Sequence, residues 1–129
     1  MLALLLDTHA LLWWLDGDAR LPSQARSAIA DPANTIFVSA ATAWEITTKH
    51  RLGKLPDAAD VARDVAACIA GQGFRELPIT VADGERAGRL PGPHRDPFDR
   101  MIVAQALGAD LMLVSNEALF DSYGVRRLW

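Results

Sequence analysis

The 129-residue chain is half apolar, 22% charged, and carries a net charge of −3. This excludes a disordered polymer and indicates one globular domain, residues 1–129, able to bury about two thirds of its unfolded surface. The acidic balance argues against a surface built wholly for phosphate, although a local basic rim can act on an acidic protein. Cys68 is the single cysteine, so an intrachain disulfide and a cysteine-type zinc site are excluded.

Leu2 to Leu6 is an unalternating apolar run, the pattern of a strand buried on both faces. It is too short for a signal peptide, and no stretch reaches the roughly 20 apolar residues of a membrane span. A cytoplasmic protein is the resulting expectation. After Asp7, the residues His9 to Leu15 form a helix whose Leu11, Leu12, Trp13, Trp14 and Leu15 cover nearly its whole circumference. That predicts a central helix or one that belongs to an interface, and Gly17 ends it. Pro22 to Asp31 is an amphipathic helix with Ala25, Ala28 and Ile29 inward, and Thr35 to Val38 is a β-branched and aromatic strand. Ser39 caps a helix to Arg51 that Gly53 stops.

From Asp57 a further helix runs through Val61, Val65 and Ile69, with Cys68 as core filler, and ends at Gly71-Gln72-Gly73. Phe74 to Ile79 is the third strand, and Thr80 caps a helix to about Leu90. The turn-rich Pro91-Gly92-Pro93 leads to a helix with Asp96 as N-cap, Pro97 at its first position and Asp99 in its first turn. This helix is apolar on nearly every face from Met101 and is ended by Gly108. Leu111 to Val114, a short helix to Tyr123, and a closing strand from Val125 to Leu128 complete the chain. Strands alternating with helices predict an α/β fold with a largely parallel sheet.

Asp7, Glu45, Asp99 and Glu117 all fall near strand-to-helix transitions or helix starts. In open parallel sheets, that is the edge where ligands bind. Each acid has a plain structural explanation. Asp7, Asp96 and Glu117 can cap or complement helix starts, and Glu45 can pair with Lys49 one turn on. Four carboxylates in one crevice would repel by several kcal/mol per close pair, about 4 kcal/mol at 4 Å and an intermediate dielectric. A hard divalent cation with oxygen ligands relieves that repulsion.

Four stretches carry a family resemblance. Leu4-Leu5-Leu6-Asp7-Thr8-His9-Ala10-Leu11-Leu12-Trp13 resembles the opening of VapC-like PIN-domain toxins, and Ser39-Ala40-Ala41-Thr42-Ala43-Trp44-Glu45-Ile46 is similar to their second motif. His94-Arg95-Asp96-Pro97-Phe98-Asp99-Arg100-Met101-Ile102, continuing to Gln105-Ala106, is similar to the third. Leu113-Val114-Ser115-Asn116-Glu117, with Phe120 and Tyr123-Gly124-Val125, is similar to the fourth. The resemblance spans essentially the whole chain in the expected order. It implies a PIN-like three-layer α/β/α sandwich, Mg²⁺- or Mn²⁺-dependent endoribonuclease activity, an RNA substrate and a cognate antitoxin. Carried over by position, it makes Asp7, Glu45, Asp99 and Glu117 the catalytic acids, supported by Thr8 and Ser115. The fourth position holds Glu117, beside Asn116, where the family usually has Asp.

In this reading Asp7 and Asp99 are the inner metal ligands, Glu45 acts through coordinated water or as a base, and Glu117 completes or replaces a second site. Asp96 and Asn116 support the cluster, and Arg95, Arg100, Lys49, Arg51 and Lys54 grip the RNA backbone. The apolar opening helix with Trp13 and Trp14 predicts a homodimer. The spacing of His9, His50 and His94 does not suit zinc. A haloacid-dehalogenase-type phosphatase would want an acid where His9 stands, and a receiver domain would want paired acids at its first strand. The alternative is a catalytically weakened PIN-fold module that only binds RNA or a protein partner.

Overall fold

The structure, a computed structural model, describes residues 1–129. Five strands, β1 (Ala3–Leu6), β2 (Thr35–Ser39), β3 (Arg75–Leu77), β4 (Met112–Val114) and β5 (Arg127–Leu128), form one sheet in the order β3-β2-β1-β4-β5. Every pairing in it is parallel. The helices are α1 (Thr8–Asp16), α2 (Ser23–Ala30), α3 (Ala40–Arg51), α4 (Ala59–Arg63), α5 (Val65–Gly71), α6 (Val81–Arg89) and α7 (Pro97–Ala109). Short 3₁₀ segments lie at Pro56–Ala58 and Ala118–Tyr123.

The period-2 alternation of strand side chains builds the two faces. Leu4, Leu6, Ile36, Val38 and Val114 point to a core shared with Leu11 of α1, Ala25 and Ile29 of α2, Ile46 of α3, and Val61, Val65 and Ile69 of α4 and α5. Leu5 and Leu113 point the other way, to Ile102, Val103 and Ala106 of α7 and to Phe120. The result is the expected three-layer α/β/α sandwich. Leu4, Leu5 and Leu6 are fully buried, as a central strand covered on both faces requires.

Three expectations are corrected. The helix from Asp57 is broken into a 3₁₀ turn, α4 and α5 at Asp64, whose backbone is non-helical (φ −157°, ψ 82°) and whose carboxylate accepts from the Ala67 amide at 3.0 Å. The apolar period of four runs across this break, so periodicity alone hides it; a carboxylate that caps the next turn competes with helix continuation. Gly108 lies inside α7, and Asp110 ends the helix in the left-handed region at φ 53°. Aspartate tolerates that conformation, so the helix runs through Gly108 and stops two residues later. Third, the segment Ala118–Tyr123 is 3₁₀ rather than α-helical, and the flanking strands are shorter than the expected Leu111–Val114 and Val125–Leu128.

Trp13 and Trp14 are partly covered. Trp13 packs on Trp129 at a centroid distance of 5.7 Å with Arg20 over its ring at 4.9 Å. Trp14 packs on Phe74 at 6.2 Å and donates from Nε1 to Gln72 at 2.9 Å. No helix is long and apolar enough to cross a membrane.

Candidate active site

The carboxyl ends of β1, β2 and β4 deliver Asp7, Ser39 and Ser115 to one edge of the sheet. Asp7 continues the ladder through its amide, which donates to the Val114 carbonyl at 3.1 Å. Its side chain caps α1 by accepting from the Ala10 amide at 2.8 Å. It is only 7% exposed. Burial pushes its pKa up to about 6; the Ser115 hydroxyl, the Ala10 amide and the His9 charge oppose this, and the Asp99 charge adds to it.

Thr8, the next residue, is buried and donates its hydroxyl to Glu45 Oε1 at 2.5 Å, with the Thr42 hydroxyl 3.3 Å away. Glu45 sits in the middle of α3, also buried, and its other oxygen is ion-paired with Lys49 one helical turn further on. Below this helix, the buried Ser39 hydroxyl meets Gln105 Oε1 at 2.5 Å, and Gln105 Nε2 donates to the Pro78 carbonyl at 3.1 Å. That chain of bonds fixes the start of α3 against α7.

The start of α7 supplies the remaining acids. Asp96 caps the helix through the amides of Phe98 at 2.8 Å and Asp99 at 3.3 Å. Its free oxygen faces Lys49 Nζ at 4.0 Å. Asp99 Oδ2 meets His94 Nε2 at 2.8 Å. Burial raises the Asp99 pKa above the ordinary carboxylate value, the charges of Asp96 and Glu45 add to the rise, and His94 opposes it. Asp7, Glu45, Asp96 and Asp99 are thus gathered at one mouth, where two of them resist ionisation.

Glu117 stands apart. It is exposed and caps the 3₁₀ turn, accepting from the Leu119 amide at 3.2 Å, while its own amide donates to Ser115 Oγ at 3.0 Å. Asn116 beside it is exposed. Among the basic residues, Arg95, Arg51 and Lys54 are exposed and Lys49 lies within the acid cluster. Arg100, expected on the RNA backbone, is engaged within the fold. Its guanidinium donates to the carbonyls of Ala87 (3.0 and 3.2 Å) and His94 (3.0 Å), and also to Leu90, tying α6 and the following loop to α7.

Sequence reasoning missed His94 as a partner of Asp99, and it missed Thr42 and Gln105. The spacing of His94 five residues before Asp99 carried no helical or strand signal, because it spans a loop that folds back. His9 stacks on Trp13 at 5.5 Å. No three histidine, cysteine or acidic side chains stand close enough, as placed, to ligate one ion. The donor chemistry still suits a hard cation: four carboxylates with a single lysine among them, two with raised pKa values, are a set that positive charge stabilises.

The PIN domain family model matches residues 4–125. A stretch of 34 residues is 50% identical to Ribonuclease VapC16 of Mycobacterium tuberculosis, covering 26% of this chain and 24% of that protein, so the match spans about a quarter of the relative's length. The fold is similar to that in the crystal structure of VapBC2 from Rickettsia felis bound to a DNA fragment from their promoter, with a TM-score of 0.71, 15% identity and 98% of each chain covered. It is also similar to VapC20 of Mycobacterium tuberculosis, described as a Sarcin-Ricin loop cleaving toxin, with a TM-score of 0.62, 18% identity and 95% of each chain covered. With the family model matched over nearly the whole chain and the same sandwich in these structures, the chain belongs to the PIN domain family.

Proposed function

We propose that this chain is a divalent-metal-dependent endoribonuclease acting as the toxin of a toxin–antitoxin pair. The observation that carries the reading is the gathering of Asp7, Glu45 and Asp99, from three separated parts of the chain, around one mouth at the carboxyl edge of a parallel sheet. The VapC16 stretch and the fold shared with VapBC2 and VapC20 support it.

In this reading Asp7 and Asp99 hold Mg²⁺ or Mn²⁺. When bound, such an ion supplies a water of lowered pKa and positive charge against the phosphoryl oxygens. The chain's own residues do the rest. Thr8 fixes one oxygen of Glu45, so that the carboxylate is aimed and its other oxygen is available as a proton acceptor once released from Lys49. His94 orients Asp99, and Asp96 fixes the helix start that carries it. Arg95, Arg51 and Lys54, exposed near the ends of the same elements, hold the RNA phosphates. Glu117 acts from the rim.

The test is cleavage of RNA by purified protein in Mg²⁺ or Mn²⁺, abolished by EDTA and by Asp7→Asn. The second reading, a PIN module that binds RNA or a protein partner without cutting, is favoured by the outward Glu117 and by the lack of three converging ligands. RNA retained intact under those same conditions would select it.

A further inference from the structure

We propose that Lys49 is the built-in counter-ion of the acid cluster: it holds Glu45 and Asp96 together, across the gap between α3 and α7, before a divalent cation binds, and it sets how tightly that cation is then held. This inference rests on reading the cluster as a divalent-cation site.

Lys49 is one turn beyond Glu45 on α3, which brings its ammonium onto Glu45 Oε2. The same nitrogen lies 4.0 Å from Asp96 Oδ2, across the gap to the start of α7. Its path crosses the Phe98 ring, whose centroid is 6.0 Å from Nζ, and Phe98 is in turn braced edge-on by Trp44 at 4.7 Å. The side chain is 28% exposed and the Glu45 side chain 4%, so this is no solvated surface pair. Partial burial opposes the lysine charge, yet the bond to Glu45 and the charges of Glu45, Asp96 and Asp99 outweigh it and hold the lysine pKa above its ordinary value.

The arrangement leaves Glu45 with both oxygens engaged, one by Thr8 and one by Lys49. A cation entering between α3 and α7 therefore meets an ammonium already serving the same carboxylates. An ammonium offers three donors and one charge, and it cannot replace an ion that organises six oxygen ligands. It can keep mutually repelling acids in place without one. Lys49 thus trades metal affinity for a cluster that is stable when empty.

The experiment titrates Mn²⁺ into the full chain, without RNA, by calorimetry and by the EPR signal of free Mn²⁺ at fixed ionic strength. Lys49→Met keeps the stem and removes the charge; Lys49→Arg keeps the charge. The expected result is Mn²⁺ binding roughly tenfold tighter or better in Lys49→Met, with Lys49→Arg close to wild type. Without metal, Lys49→Met melts at a lower temperature than wild type, and Mn²⁺ raises its melting temperature by more. Circular dichroism confirms that each variant is folded; should Lys49→Met fail to fold, Lys49→Gln carries the same expectation. Equal or weaker Mn²⁺ affinity in a folded, uncharged variant overturns the proposal and leaves the metal reading standing. Absence of Mn²⁺ binding in both wild type and Lys49→Met overturns the two together. Asp99→Asn placed in both backgrounds locates the ion, since it must weaken binding in each.

Discussion

Asp7 caps a helix and lies buried at the centre of the acid cluster, and these two roles have opposite signs in stability. Its folded pKa, about 6, lies above the ordinary 3.8. Below about pH 3 the group is protonated in both folded and unfolded chains and contributes nothing; as pH rises through 4 to 6 the unfolded chain ionises first, and the fold loses about 3 kcal/mol. Asn caps helices as well as Asp. Asp7→Asn should therefore stabilise the metal-free protein by about 2–3 kcal/mol at pH 8 and by almost nothing at pH 3, as read by urea unfolding in EDTA. The same variant, and Asp99→Asn, should lose RNA cleavage while remaining folded. Full activity of either at saturating Mg²⁺ would remove that residue from the ligand set. Glu117 faces outward onto the Leu119 amide, so Glu117→Gln should be milder than Asp7→Asn. Glu117→Asp should raise the rate more in Mg²⁺ than in Mn²⁺, because Mg²⁺ demands stricter octahedral ligation. A Glu117→Gln enzyme as inactive as Asp7→Asn would make Glu117 a full ligand.

At the scale of elements, α7 is placed by polar ties as much as by its apolar faces. Arg100 satisfies carbonyls at the end of α6 and in the loop carrying His94, and the same loop brings His94 to Asp99. Arg100→Met strands these acceptors and should cost about 2–4 kcal/mol in denaturant unfolding, with Arg100→Lys recovering only part, since an ammonium lacks the planar fork. Its effect on RNA binding should be small in slope. Each of Arg95, Arg51 and Lys54, if it holds a phosphate, should lower the magnitude of the log-affinity against log-salt slope by about 1 when neutralised. A change of that size for Arg100 in a still-stable protein would return it to the RNA.

For the whole molecule, the homodimer expected from Trp13 and Trp14 has a second candidate surface, since those rings are already partly covered by Trp129, Arg20 and Phe74. Trp44 is 60% exposed and, with Ile79, Pro97, Phe98 and Met101, lines an apolar groove of about 220 Å³ between α3, α6 and α7. We expect light scattering to give a dimer at micromolar concentration, and the double variant Trp44→Ser, Ile79→Ser to weaken it; a monomeric wild type would exclude the dimer. The alternation of strands and helices, the doubly buried Leu4–Leu6, and the helix starts at Asp7, Ser39, Thr80 and Asp96 were legible in the residues alone. Hydrophobic period and cap chemistry act between neighbours along the chain, so they are written there in order. The break at Asp64 escaped because the apolar period crosses it, and the end of α7 escaped because a glycine inside a helix reads like one that ends it. Only the tertiary structure decided that Lys49 faces α7, that His94 folds back on Asp99, and that Arg100 belongs to carbonyls rather than to solvent. Those pairings join residues whose approach is set by how α3, α6 and α7 pack across the sheet, and a long side chain's partner is fixed by what surrounds it in space.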